Sequence, residues 1–232
     1  MNTDNTKIDY SVSIAKGILG AIPFVGPLIA ETVGSIIPRQ RIDRINDFLL
    51  ILENKIEETQ RETAKIKFQN EKFIDILEDS MVQASRALSS ERKEYIASIV
   101  SNGISDEEVE HIQKKLLLNI LNELSDTEII VLQGYGLPPG EDREYFEKHK
   151  EILLPPIVTM RTRDQNGIDD KTLYDAQRNH LVRMNLIVPK YKSLKKGETP
   201  EFDAATGTMK SQGYKVTSLG RLLLRNIGLK TW

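Results

Sequence analysis

Apolar residues along residues 39–56 fall at Ile42, Ile45, Leu49, Leu52 and Ile56, steps of three and four that place them on one helical face. Phe48 widens that stripe beyond a coiled-coil seam, as in a helix packed into a globular bundle. Residues 57–69 are mostly polar around an isolated Ile66 and Phe68, so the helix either runs on exposed or breaks there. The helical period resumes at Phe73, Ile76, Leu77, Met81, Ala84 and Leu88, and again at Tyr95, Ile96, Ile99 and Val100 up to Gly103. Ser105 and Glu108 have the spacing of a capping box, and the helix behind them is expected to bury Val109, Ile112, Leu116, Leu117, Ile120 and Leu124. A second box, Ser125 with Glu128, opens a short helix that ends at Gly134 and Gly136. Pro138, Pro139 and Gly140 then punctuate the chain, and residues 141–154 read as a polar helix stopped by Pro155 and Pro156.

Asn166-Gly167 reads as a turn, and Asp169 or Asp170 can cap a helix over residues 171–185. The β-branched and aromatic content of residues 186–191 predicts a strand, with a return strand over residues 213–217. Between them, residues 193–212 are polar and rich in Lys, Gly and Thr, which predicts a long mobile loop. Ser218 is expected to cap a last helix over residues 219–226, ended by Gly228.

One stretch breaks this pattern. Residues 11–37 are apolar almost throughout, with only Lys16 and Glu31 charged. Pro23 and Pro27 interrupt them around Phe24, Val25 and Gly26, and Pro38 closes them, so two short helices folded as a hairpin are expected. Each, at roughly ten residues or ~15 Å, is too short to cross a ~30 Å hydrocarbon core alone. Gly17, Gly20, Gly26 and Gly34 sit where each glycine costs ~1 kcal/mol against alanine in a helix, and their benefit is close backbone approach. Two readings stay open. In one, the hairpin is buried core or a subunit interface. In the other it enters a membrane or assembles a pore through Ile14, Ile18, Leu19, Gly20, Ile22, Phe24, Val25, Gly26, Leu28 and Ile29. Arg39, Arg41 and Arg44 follow directly, where lipid phosphates would lie in the membrane reading and where Asp43 and Asp47 offer partners in the other.

Helices followed by a helix that runs straight into a two-stranded hairpin is the order of a winged helix. Residues 175–187 (DAQRNHLVRMNLI) resemble the junction between recognition helix and wing in winged-helix regulators. Residues 213–228 (GYKVTSLGRLLLRNIG) are similar to the returning strand, Thr-x-x-Gly cap and closing helix of such domains. The fold class read from the chain is mainly α, with an apolar helical hairpin (residues 1–38), a helical bundle (39–124) and a C-terminal winged-helix α+β domain (125–232) whose wing loop spans about residues 193–212.

Charge sharpens that division. Residues 160–232 hold 14 Lys and Arg against 7 Asp and Glu, a net +7, while the remaining chain holds 18 against 27, a net −9. Such asymmetry suggests that the basic part meets a polyanion, or that the two parts attract one another. With Leu173, Gln177, Leu181 and Met184 turned inward, the third helix of the winged helix would present Lys171, Thr172, Asp175, Arg178, Asn179 and Arg183. Arginine and asparagine suit base edges, lysine suits phosphate, and Asp175 in their midst would repel the phosphate backbone. Lys190, Lys192, Lys195, Lys196, Lys210 and Lys215 make the wing basic, which fits sequence-independent phosphate contact or simply a soluble hairpin.

The absence of cysteine removes thiolate catalysis and cysteine-based zinc sites and favours an intracellular setting. The polar start, with Asp4, Lys7 and Asp9, lacks the positive character of a secretory leader, so a cytoplasmic protein is expected, with membrane association through the hairpin in only one of its two readings. His111, His149 and His180 have no ligand-spaced partners, and no phosphate loop, nucleophile elbow or HExxH is found, so no cofactor, metal or enzymatic role is expected.

The plan as a whole is similar to the abortive infection alpha family of bacterial phage-defence proteins, with Leu186-Ile187 at the helix–strand junction and Thr217-Ser218-Leu219-Gly220 opening the last helix. The resemblance implies a role in arresting infected cells, without fixing a chemistry. The glycine-rich apolar hairpin tethered to a basic module suggests the hairpin as effector or oligomerisation element and the winged helix as sensor or partner-binding module. On that hypothesis the partners expected are a second copy of the chain and a protein of the defence system. DNA at the wing and an anionic membrane at the hairpin follow from charge and apolarity. A DNA-binding regulator and an inert adaptor are the alternative readings.

Overall fold

A computed structural model describes residues 41–56, 61–104, 111–138, 142–156, 165–202 and 207–232. Among them the chain is mainly helical, with nine helices and one two-stranded antiparallel sheet. It divides into two compact units. Met1–Glu123 with Asn226–Gly228 forms the first, and Leu124–Arg225 with Leu229–Trp232 the second. The apolar residues predicted for the hairpin, from Ile14 to Ile29, lie outside the described residues, as do Arg39, Val109 and the Ser105–Glu108 capping box. Among the described residues no helix is long and apolar enough to cross a membrane.

The first unit packs α1 (Ile42–Lys55), α3 (Glu71–Arg86), α4 (Ser90–Asn102) and α5 (His111–Glu123) around one core, with the short α2 (Arg61–Lys67) beside them. The three-four spacing of α1 buries Ile45, Phe48, Leu49 and Leu52. The polar stretch breaks the helix, and the apparently isolated Phe68 is fully buried with its ring edge-on to Phe73, centroids 5.1 Å apart. Asn70 and Ser89 cap α3 and α4 by accepting from Lys72 N and Arg92 N. Three positions differ from the sequence reading. Leu88 is 83% exposed in the α3–α4 connection, and Ile112 and Leu116 are 79% and 51% exposed on α5. The α5 face that turns inward is Lys114, Leu117, Leu118 and Leu121. The Lys114 ammonium is tolerated there because it donates to Asn226 Oδ1 at 2.8 Å, and its stem covers apolar surface.

The second unit comprises α6 (Asp126–Gly136), α7 (Asp142–Leu153), α8 (Gln165–Arg183), β1 (Ile187–Tyr191), β2 (Ser211–Val216) and α9 (Ser218–Asn226). Ser125 and Glu128 form the expected capping box, each side chain meeting the other's backbone N–H. Helix α8 begins at Gln165, so Asn166-Gly167 is its first turn rather than a separate one, and Asp169 accepts from Gln165 Nε2 instead of capping. At its end Asn185 takes φ 57°, with Leu186 N donating to Leu181 O and Asn185 N to Val182 O. That is a Schellman ending with asparagine in the left-handed position glycine usually holds, and it turns the chain directly into β1. The strands pair with Ile187 opposite Val216 and Val188 opposite Lys215, with an irregularity between Pro189 and Tyr191. Within the connecting segment Glu198 N donates to Lys195 O and Phe202 bridges Met209, and residues 203–206 lie outside the described residues.

The cap of α9 is Thr217, not Ser218. Its hydroxyl oxygen accepts from Gly220 N at 3.0 Å, and its O–H reaches Asn185 O at 2.7 Å, so one residue ties the end of α8 to the start of α9. Gly220 follows from the same packing. A Cβ there would stand 2.3 Å from Leu186 O and 2.8 Å from Val216 Cγ2.

Candidate recognition surface

Helix α8 and the β1–β2 hairpin carry the residues that the sequence singles out. The inner face of α8 is not the Leu173–Gln177 face but the one rotated by one residue, Tyr174, Arg178 and Leu181. Arg178 is 2% exposed and Leu181 fully buried, whereas Leu173 is 63% exposed. Arg178 lays its guanidinium over the Tyr174 ring, 3.3 Å from the centroid. Its Nη1 donates to Tyr174 O, and its Nη2 to Ile152 O and Leu153 O at 3.3 and 3.2 Å. Those two carbonyls lie at the C-terminal end of α7, where peptide oxygens lack intrahelical donors and a cation is favoured. Arg178 is therefore a clamp between two helices, unavailable to a base edge or phosphate, because both of its terminal nitrogens are spent on backbone carbonyls, one of which, Leu153 O, also accepts from the Tyr174 hydroxyl. Burial also raises the Tyr174 hydroxyl above its ordinary pKa, opposed by the Arg178 charge.

The other predicted positions on α8 divide. Lys171 is bound to Asp175 one turn on, which cancels both charges. Thr172 is exposed but its hydroxyl donates back to Ile168 O. Asn179 and Arg183 are exposed, with no ion pair among the described residues. Behind them His180 Nδ1 meets Glu128 Oε1 at 2.6 Å, and Glu128 Oε2 accepts from Ser125 N and Ser125 Oγ at 2.8 and 2.9 Å. The carboxylate stands between serine and histidine, so the imidazole does not face the hydroxyl as a general base must. The group joins α6 to α8.

On the hairpin, Lys192 is paired with Glu198, and Lys210 with Glu201 at 3.8 Å. Lys190, Lys195, Lys196 and Lys215 are exposed and have no acidic partner among the described residues. Strand alternation places Lys190 and Lys215 on the side opposite the buried Ile187–Val216 pair.

In the first unit, Arg41 precedes α1 without a side-chain cap bond, and Arg44 Nη1 donates to Ser85 O at 3.2 Å, near the C-terminal end of α3. Arg44 thus satisfies a helix end instead of standing free for lipid. Asp47, one of its alternative partners, is held by Lys93 at 2.6 Å.

The sequence reading missed a cleft of about 640 Å³ where the C-terminal end of α7 faces α8. Leu154, Pro155, Leu173 and Tyr174 give it apolar walls, and Glu151 and Asp170 stand among its lining residues. The signal for it lay in Tyr174 and Arg178, four apart, an aromatic–cation pair that competes with Leu173 and Gln177 for the inward face. Among the described residues no group of three His, Asp or Glu side chains is placed to hold a metal ion. Compared with family models, curated proteins and solved structures, the chain matches none.

Proposed function

We propose that this protein is a non-enzymatic component of a bacterial phage-defence system of the abortive-infection type. Its second unit acts as a winged-helix-like module that binds a protein partner, and the apolar segment of residues 11–37 as the oligomerising or membrane-associated effector. The observation that carries the partner-binding role is the outer face of α8. In a DNA-reading helix that face presents free cations. Here Arg178 is consumed by the fold, Lys171 is paired with Asp175, and Leu173 stands 63% exposed, while of the predicted cations on α8 Arg183 stays exposed without an ion pair among the described residues. The path from α8 through an antiparallel hairpin into α9 supports the winged-helix arrangement.

Phage challenge of a bacterial host expressing the full chain tests the proposal. Protection is expected, and it is expected to disappear for Leu173→Asp and for deletion of residues 1–38 at unchanged protein level. A chain that protects against no phage in a broad panel, or equally well in all three forms, ends this reading. The second reading, a DNA-binding regulator, is favoured by one observation: four lysines of the hairpin segment, Lys190, Lys195, Lys196 and Lys215, have no acidic partner among the described residues. It expects duplex binding that weakens with salt and is lost when the four become Gln, with protection indifferent to Leu173.

A further inference from the structure

We infer that the cleft between the C-terminal end of α7 and α8 is the docking site for the protein partner, and that it takes a short segment bearing a bulky apolar side chain flanked by basic residues. The inference rests on the partner-binding reading above and names the chemistry of what is bound. Three observations converge on it. First, the walls are apolar and open to solvent: Leu154 is 47% and Leu173 63% exposed, and the half-buried Tyr174 lines the cleft with them. A volume of about 640 Å³ is ample for one or two large side chains.

Second, the lining is net acidic. Lys150 lines the cleft as well, 4.0 Å from Glu147, whereas Glu151 and Asp170 have no ion pair among the described residues, so the excess is one carboxylate. Carboxylates around an apolar floor attract cationic side chains and repel nucleic acid and anionic lipid headgroups, which leaves a basic polypeptide segment as the occupant. Third, the floor is rigid. Arg178 ties Tyr174 to the last carbonyls of α7, so the two walls are held at fixed separation without a ligand. A preformed cleft loses little entropy when filled.

The test uses the full chain and a labelled probe: a hexapeptide with two central leucines, each flanked by two lysines, followed by fluorescence anisotropy. Its partner probe carries glutamate in place of lysine. Saturable binding of the lysine probe is expected. Leu173→Asp should abolish it, and the double variant Glu151→Lys, Asp170→Lys should weaken it by about tenfold or more and turn preference to the glutamate probe. These positions are at the surface, and an unchanged melting temperature shows that the variants fold. No saturable binding at about 1 mM, a limit corresponding to about −4 kcal/mol, overturns the inference. Binding indifferent to the charge reversal does so too. Self-association of the free chain that Leu173→Asp dissolves assigns the cleft to a second copy and also overturns it. If phage protection depends on Leu173 while neither probe binds, the docking chemistry is wrong and the partner-binding reading stands.

Discussion

Arg178 shows why a residue type in a plausible pattern does not carry a function. A guanidinium on the third helix of a winged-helix-like order is what a base-reading surface needs, but here every bond it makes is to backbone or ring within its own unit. Replacing it by lysine keeps the charge and loses the planar fork that reaches two carbonyls at once. Arg178→Lys is therefore expected to cost about 1.5–3 kcal/mol in urea unfolding, the range for hydrogen bonds to a charged group. DNA affinity per folded molecule should stay unchanged. Gly220 makes the same point in steric form. Its neighbour at 2.3 Å is a backbone oxygen, which cannot swing aside as a side-chain end can. Gly220→Ala is expected to destabilise the protein by about 1–3 kcal/mol or more, the range for overpacking. Thr217→Ala, which removes the cap and the bond to Asn185 O, should cost about 1 kcal/mol, within the range for lost caps. Differential scanning calorimetry ranks the two, and the reverse order would mean that the α8–α9 junction is held by the hydroxyl and not by close backbone approach.

Between helices, α3 and α5 are joined by a small charge network. Lys115 meets Asp75 at 2.6 Å and Asp79 at 3.1 Å, and His111 Nε2 meets Asp75 at 2.8 Å. The hydrogen bond from Lys115 holds Asp75 below its ordinary carboxylate pKa, with His111 adding to it against the burial. The bond to Asp75 likewise holds Lys115 above its ordinary value. A depressed carboxylate contributes stability above its unfolded pKa that is lost as pH falls through the folded one. The raised lysine contributes below its unfolded pKa and loses that contribution as pH rises through the folded one. The link is thus complete from near neutrality to moderate alkali and fails at both ends. Its members are partly exposed, so Asp75→Asn is expected to cost less than about 1 kcal/mol at pH 7. Wild type and variant should converge in thermal melts as pH falls through the depressed Asp75 value, below the ordinary 3.8, where Asp75 protonates.

Much of this level was legible in the chain. The Ser125–Glu128 box, the two strands and the buried stripe of α1 stand where local spacing puts them, because each is set by neighbours within one turn or one pleat. The face of α8 was not legible, since two stripes sharing Leu181 compete and only α7 decides between them. The exposure of Ile112 and Leu116 was equally hidden, because Lys114 goes inward only if Asn226, distant in sequence, supplies an oxygen.

For the whole molecule, the split of charge between a −9 part and a +7 part separates two ways of meeting a polyanion. Binding by the hairpin lysines is electrostatic. With Lys190, Lys195, Lys196 and Lys215 each on a phosphate, log K against log salt should fall with a slope of about −3 to −4, and each Lys→Gln exchange should reduce it by about 1. Binding of anionic vesicles by residues 11–37 has a different physical basis. The part that contains this segment is net negative, so an anionic surface repels it overall, and only burial of apolar side chains can hold it there. Salt screens the repulsion and leaves the burial intact. Flotation with vesicles containing phosphatidylserine should therefore persist or strengthen between about 50 and 200 mM salt, a range over which a Debye length near 10 Å shortens and phosphate-driven binding collapses. Gly20→Asp with Gly26→Asp should abolish flotation, since a carboxylate cannot follow an apolar hairpin into hydrocarbon at tolerable cost. Flotation that dissolves in salt and survives those two exchanges would move the membrane contact to the lysines. A chain that never floats, and sediments as a defined oligomer that the same exchanges disperse, would make residues 11–37 a subunit interface.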